Sequence, residues 1–133
     1  RQGEESKMKS VIITFIIGAA MIGGSIFYSS YLDRESKELS HITSDIKTCV
    51  LNDDFNKARE KISELNKSVE HFEKIFLATG DHIEIDNIKI HLSELKSYAQ
   101  HRMKSDALGK IYVLDFLFEH LPRNSQIRIG NIL

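Results

Sequence analysis

From Val11 to Leu32 the chain carries no charged residue, and from Asp33 onward charges return every few positions. The two stretches obey different rules. The first, VIITFIIGAAMIGGSIFYSSYL, is 22 residues long. As a helix it would span roughly 33 Å, against about 30 Å of bilayer hydrocarbon. Tyr28 and Tyr31 stand at its far end, where amphipathic rings favour the headgroup region. A cleaved signal peptide would need a short apolar core and a small-residue cleavage site. Gly18-Ala19-Ala20 and Gly23-Gly24-Ser25 qualify by size, but apolar and aromatic residues continue past both. A buried core helix this long and uncharged would be unusual in so small a domain. The segment is therefore expected to be an uncleaved transmembrane helix.

Beyond it the apolar residues recur at steps of three and four, the period of a helix with one buried face. Leu39, Ile42, Ile46 and Cys49 carry the first such seam, and nothing between Leu32 and Leu39 breaks a helix. The span is thus predicted to run on into the first helix of the domain as a rigid stalk. Asn52-Asp53-Asp54 marks a turn and a new N-cap. Phe55, Ala58, Ile62, Leu65, Val69, Phe72 and Phe76 then form a heptad seam resembling a coiled coil, with Lys57, Lys61, Glu64, Lys67 and Glu70 outside it. Gly80 stands where a left-handed C-terminal cap is wanted. Asp81 with Glu84 three residues on has capping-box spacing, and Ile85, Ile88, Leu92, Leu95 and Ala99 give the third helix its seam. A fourth helix is expected from about Asp106 to Leu121, with Pro122 ending it. It is apolar over much of its circumference (Leu108, Ile111, Val113, Leu114, Phe116, Leu117, Phe118, Leu121), which predicts that other helices or a partner surround it. The tail's apolar end, Asn131, Ile132 and Leu133, is expected to dock. The fold class is all-α: an N-terminal transmembrane helix continuing into an antiparallel up-down four-helix bundle. The regions read as 1–10, an N-terminal cytoplasmic segment; 11–32, the membrane helix; and 33–133, an extracytoplasmic helical bundle.

Charge adds orientation and one exclusion. Lys7 and Lys9 precede the span, while Arg34 and Lys37 follow it among Asp33, Glu35 and Glu38. With so little to translocate on the amino side, N-terminus inside and domain outside is expected in a cell membrane. Met8 reads as a natural start, with Arg1–Lys7 upstream of it. Removing Arg1, Lys7 and Lys9 from the 18 basic residues, and Glu4 and Glu5 from the 19 acidic ones, leaves 15 against 17 from Asp33 on. That balance offers no footprint for nucleic acid. The single cysteine, Cys49, excludes an intramolecular disulfide and, on the apolar phase of its helix, reads as a small core residue.

Within the span, Thr14, Gly18, Ser25 and Ser29 fall in an arc of roughly 60°. Ala19 with Gly23, and Ala20 with Gly24, add small-xxx-small pairs. Small residues let helix backbones approach closely in lipid, so this face predicts association with a second copy or a multi-span partner.

Catalytic chemistry is not in view. Of six histidines, only His41 sits in the Glu-x-x-His pattern of a di-iron bundle, and such a site needs that pattern twice. Glu38 and His41 flank Leu39, so a solvated face explains them. His41 with Asp45 and His82 with Asp86 have the spacing of surface ion pairs, His91 and His101 lie too far apart on the third helix to share an ion, and Asp53-Asp54 is explained by capping. No Gly-rich phosphate loop, nucleophile elbow or Cys pair occurs. Tyr98 and Tyr112 read as boundary residues of the bundle. The expectation is a non-enzyme with no metal or cofactor.

Four short motifs carry a family likeness: Met8-Lys9 before the immediate apolar span, Asp54-Phe55 opening the second helix, His82-Ile83-Glu84-Ile85-Asp86 opening the third, and Asn131-Ile132-Leu133 at the end. In these the chain resembles the domain of unknown function family numbered 4363, small membrane-anchored proteins of clostridia and related spore-formers. The likeness covers nearly the whole chain from Met8. Phe72 and Phe76 depart from it, standing where such proteins often have tryptophan. The resemblance implies no activity. It does imply an accessory role beside a multi-span membrane protein of a YetF-like family, and a shared patch of Asp81, His82, Glu84 and Asp86. Read from the residues alone, that patch is a well-capped helix start. The expected function is an accessory or scaffold subunit of a membrane complex; the alternative is a sensor-like ectodomain that binds a small ligand between helices.

Overall fold

The computed structural model describes residues 1–76 and 82–132, the stretch from 122 to 132 as backbone only. Helix α1 runs unbroken from Gln2 to Leu51, about 75 Å of rod at the standard rise. Its apolar amino-terminal part and its bundle part are one element, as the absence of any breaker between Leu32 and Leu39 predicted. Helices α2 (Phe55–Phe76), α3 (His82–Gln100) and α4 (Lys104–Ile132) complete the fold, and no strand occurs among the described residues. Each helix packs mainly on two neighbours, α1 and α3 both touching α2 and α4. Contacts such as Ser36 with Phe118 and Lys104 with Leu51 make α1 and α4 antiparallel, and Lys89 with Glu73 does the same for α2 and α3. This is the expected up-down-up-down bundle.

All seven seam residues of α2 and all five of α3 are buried, as are Leu39, Ile42, Ile46 and Cys49 of α1. Burying each large apolar side chain contributes about 1.5–3 kcal/mol, against the ordering entropy of the chain. Two polar side chains join the core, Ser36 and Thr43. Thr43 donates its hydroxyl to the Leu39 carbonyl at 2.7 Å, so it brings no unmet group inside.

The α1–α2 and α3–α4 turns share one construction. The Asp54 amide reaches the Cys49 carbonyl at 2.9 Å and the Asp53 amide that of Val50 at 3.1 Å. At the other turn Met103 reaches Tyr98 at 2.8 Å and Arg102 reaches Ala99 at 3.3 Å. These are paired Schellman bonds, which need a left-handed residue at the pivot. Asp53 (φ 58°) and Arg102 (φ 55°) fill the role without being glycine. Asp54 then caps α2, its carboxylate accepting from the Lys57 amide at 3.2 Å. A side chain in the left-handed region costs about 1–2 kcal/mol, partly regained by glycine's looser unfolded chain. Arg102→Gly is therefore expected to stabilise the bundle by about 0.5–1 kcal/mol in urea unfolding; destabilisation would mean that Arg102 does more than turn the chain.

Two expectations need correcting. His101, expected on the third helix, lies just beyond it, because the Schellman turn closes α3 at Gln100. Pro122 does not end the fourth helix, which starts at Lys104 and passes through the proline to Ile132. A proline inside a helix lacks the N–H that the carbonyl four residues earlier would accept, here that of Phe118. The buried Ser36 hydroxyl of α1 donates to this same carbonyl. The bond that Pro122 removes from α4 is replaced from another helix.

Candidate functional site

The buried seam of α1 steps through Leu32, Ser36, Leu39, Thr43, Ile46 and Val50. Its heptad register extends upstream: Ser25 lies seven residues before Leu32, Ser29 seven before Ser36, and Gly18 seven before Ser25. Ser25 and Ser29 are half-buried, as is Gly18, and Tyr28 packs against the core. Ser25 and Ser29 thus continue the bundle's own packing face into the apolar segment. Thr14, at its start, is exposed, with its hydroxyl donating to the Ser10 carbonyl at 2.8 Å. Ala19, Gly23 and Gly24 are exposed. A Cβ added at Gly18, Gly23 or Gly24 would meet nothing within 4 Å. Around them Phe15 is 79% and Phe27 71% exposed, and none of the most apolar 18-residue window is buried by the rest of the chain.

Of the four residues implied as a shared patch, three lie among the described residues. Asp81 lies outside the described residues. His82 and Asp86 are exposed, whereas Glu84 is half-buried and turns toward α4. There it lines a small groove with Ile88, Phe116, Leu117 and His120. Of the expected docking tail, Asn131 and Ile132 lie in the α4 backbone and their side chains, like the whole of Leu133, fall outside the described residues. The fourth helix is less enclosed than its composition suggested. Val113 is exposed and Phe116 is 59% exposed, its ring stacked on His120 with centroids 4.1 Å apart. Tyr112 lies at the surface under the Lys47 ammonium, 4.7 Å from its ring centre.

Charged groups tie neighbouring helices at the surface. Lys104 bridges the Leu51 carbonyl and the Asp53 carboxylate, each at 3.1 Å, where α1's C-terminal carbonyls favour a cation. Lys110 of α4 meets Glu94 of α3 at 2.5 Å and stands 3.3 Å from His91 Nδ1. The hydrogen bond from Lys110 holds the Glu94 carboxyl below its usual range, against a smaller opposing effect of partial desolvation. His41 and Asp45 form the ion pair that their spacing suggested, at 3.6 Å. Among the described residues no three His, Cys, Asp or Glu side chains gather where they could hold a metal.

One concavity escaped the sequence reading. A groove of about 290 Å³ lies between α2 and α3, with Arg59, Lys89 and Lys96 on its walls. A signal for it was present: Arg59, Ser63 and Asn66 on α2, and Lys89, Ser93 and Lys96 on α3, both keep steps of four and three beside the apolar seams.

A family model described as Domain of unknown function (DUF4363) matches residues 26–132. No curated protein and no solved structure matches the chain.

Proposed function

The chain belongs to the DUF4363 family, and from that premise we propose that it is a non-enzymatic, single-pass membrane protein serving as an accessory or scaffold subunit. In this reading residues 11–32 of α1 cross the cell membrane, with the N-terminus inside and the bundle outside. The observation that carries it is the uncovered apolar part of α1. Each large apolar side chain left in water forgoes about 1.5–3 kcal/mol. The chain itself covers none of the most apolar window, so lipid and neighbouring helices are the natural cover. Lys7 and Lys9 before the span, against mixed charges after it, support the orientation.

Assembly is the second half of the proposal. Gly18, Gly23 and Gly24 face open space within this chain, so bulk placed there meets only another molecule. That molecule is a second copy or a multi-span membrane protein, approached closely across the small residues. The test is purification from the native membrane in mild detergent, with the Gly18→Leu/Gly23→Leu double variant alongside. The expected result is a co-purifying membrane protein or a stable oligomer, lost in the variant while the bundle's unfolding midpoint stays the same. A lone monomer from the native membrane, or association indifferent to both leucines, would overturn the proposal.

A further inference from the structure

We propose that the α2/α3 groove is a binding site for a small soluble anion bearing carboxylate or phosphate groups. This goes beyond the assembly reading and does not depend on it. The groove's floor is apolar, formed by the buried Ile62 and Leu92, and its walls carry Arg59, Lys89 and Lys96 with no carboxylate among the lining residues. Elsewhere Lys37, Lys61, Lys104 and Lys110 each pair with an acidic group, and the chain as a whole is net −1.

Of the three groove cations, Lys89 is matched by Glu73 at 2.6 Å. The other two are not neutralised. Arg59 donates to the neutral side-chain oxygen of Asn56. Lys96 makes no ion pair or hydrogen bond among the described residues. Ser63 and Ser93 add hydroxyl donors, while Asn66 is already engaged by Glu70 at 3.3 Å. Two uncompensated cations, one a planar guanidinium and one a point charge, over an apolar floor suit a compact anion with more than one oxygen cluster.

Position argues for a ligand from solution rather than a lipid headgroup. Arg59 lies one turn into α2, just after the α1–α2 turn, and Gln100, also on the groove, ends α3 beside the turn to α4. Those two turns meet at Lys104 and Leu51. From Leu32 to Leu51 helix α1 rises about 28 Å, so the Arg59 and Gln100 end of the groove lies far from the apolar segment, while Lys89, paired with Glu73, marks its other end.

The test uses the full chain in non-ionic detergent, titrated calorimetrically with citrate and with inorganic pyrophosphate at constant ionic strength. Lys96→Ala, Arg59→Ala and the control Lys57→Ala, exposed outside the groove, are compared with the parent. Saturable one-to-one binding of at least one probe is expected, weakened about tenfold by each groove variant and unchanged by Lys57→Ala. Unfolding midpoints without ligand should match, since Arg59 and Lys96 are exposed. No saturable binding at millimolar probe, or equal binding in the groove variants, would overturn the proposal. Displacement of the probe by phosphatidylglycerol in the micelle would overturn the assignment to a soluble ligand.

Discussion

Phe72→Ala is expected to lower the unfolding free energy of the bundle by about 3–5 kcal/mol, read as a fall in the urea midpoint at unchanged slope. Phe72 is 1% exposed and sits in the half of α2 nearer the apolar segment of α1, its ring stacked on Phe76 with centroids 5.1 Å apart and planes 25° from parallel. Truncation removes its transfer free energy and its aromatic contact, and leaves a void that close-packed neighbours fill only partly. Phe116→Ala is the matched comparison. It removes the same atoms from an α4 position that is 59% exposed, and in the isolated chain it should cost about 0.5 kcal/mol or less beyond loss of the His120 stacking. Equal losses at the two positions would mean that the bundle's faces are assigned wrongly. Should Phe116→Ala be neutral in the isolated chain yet weaken assembly, the α3/α4 face would join the partner surface.

Ser36→Ala is expected to cost about 1–3 kcal/mol, the price of leaving a buried carbonyl without a donor. The reason is specific to one pair of residues. In an uninterrupted helix the amide four residues on would serve the Phe118 carbonyl, and that residue is Pro122. The Pro122→Ala variant restores the amide, so in that background Ser36→Ala should lose most of its effect. The double-mutant cycle should therefore show a coupling of about 1–2 kcal/mol between two residues on different helices. Additive energies would show that the Ser36 hydroxyl is not the substitute donor. This bond joins α1 to α4 close to where the apolar segment of α1 enters the bundle.

The fold was legible where one helix face is apolar and the other is not. For α2 and α3 the step of three and four residues identified every buried side chain, because helix phase is a local property, set by 100° per residue whatever lies alongside. The unbroken α1 was legible for the same kind of reason: a helix with no Gly-Pro interruption between Leu32 and Leu39 has no cause to stop. In α4 the same logic lost its purchase. With apolar residues all round, composition could not tell Phe118, which is buried, from Phe116, which is not. Only the placement of α1 and α3 against α4 selects between them.

The membrane-length apolar run, the all-helical class, the seams and the turn at Asn52–Asp54 were determined by the sequence alone, since each depends on interactions within a few residues. The passage of α4 through Pro122, the exposure of Phe116 and the placing of Arg59 and Lys96 on one groove were decided only by the tertiary structure. The donor that rescues the Phe118 carbonyl lies 82 residues away, and the cations of α2 and α3 line one groove only once two antiparallel helices have settled into register. The apolar segment spans both categories. Its length and hydrophobicity are sequence facts, but that Ser25 and Ser29 continue the bundle's packing face, while Gly23 and Gly24 look outward, follows from how α1 is turned against its neighbours.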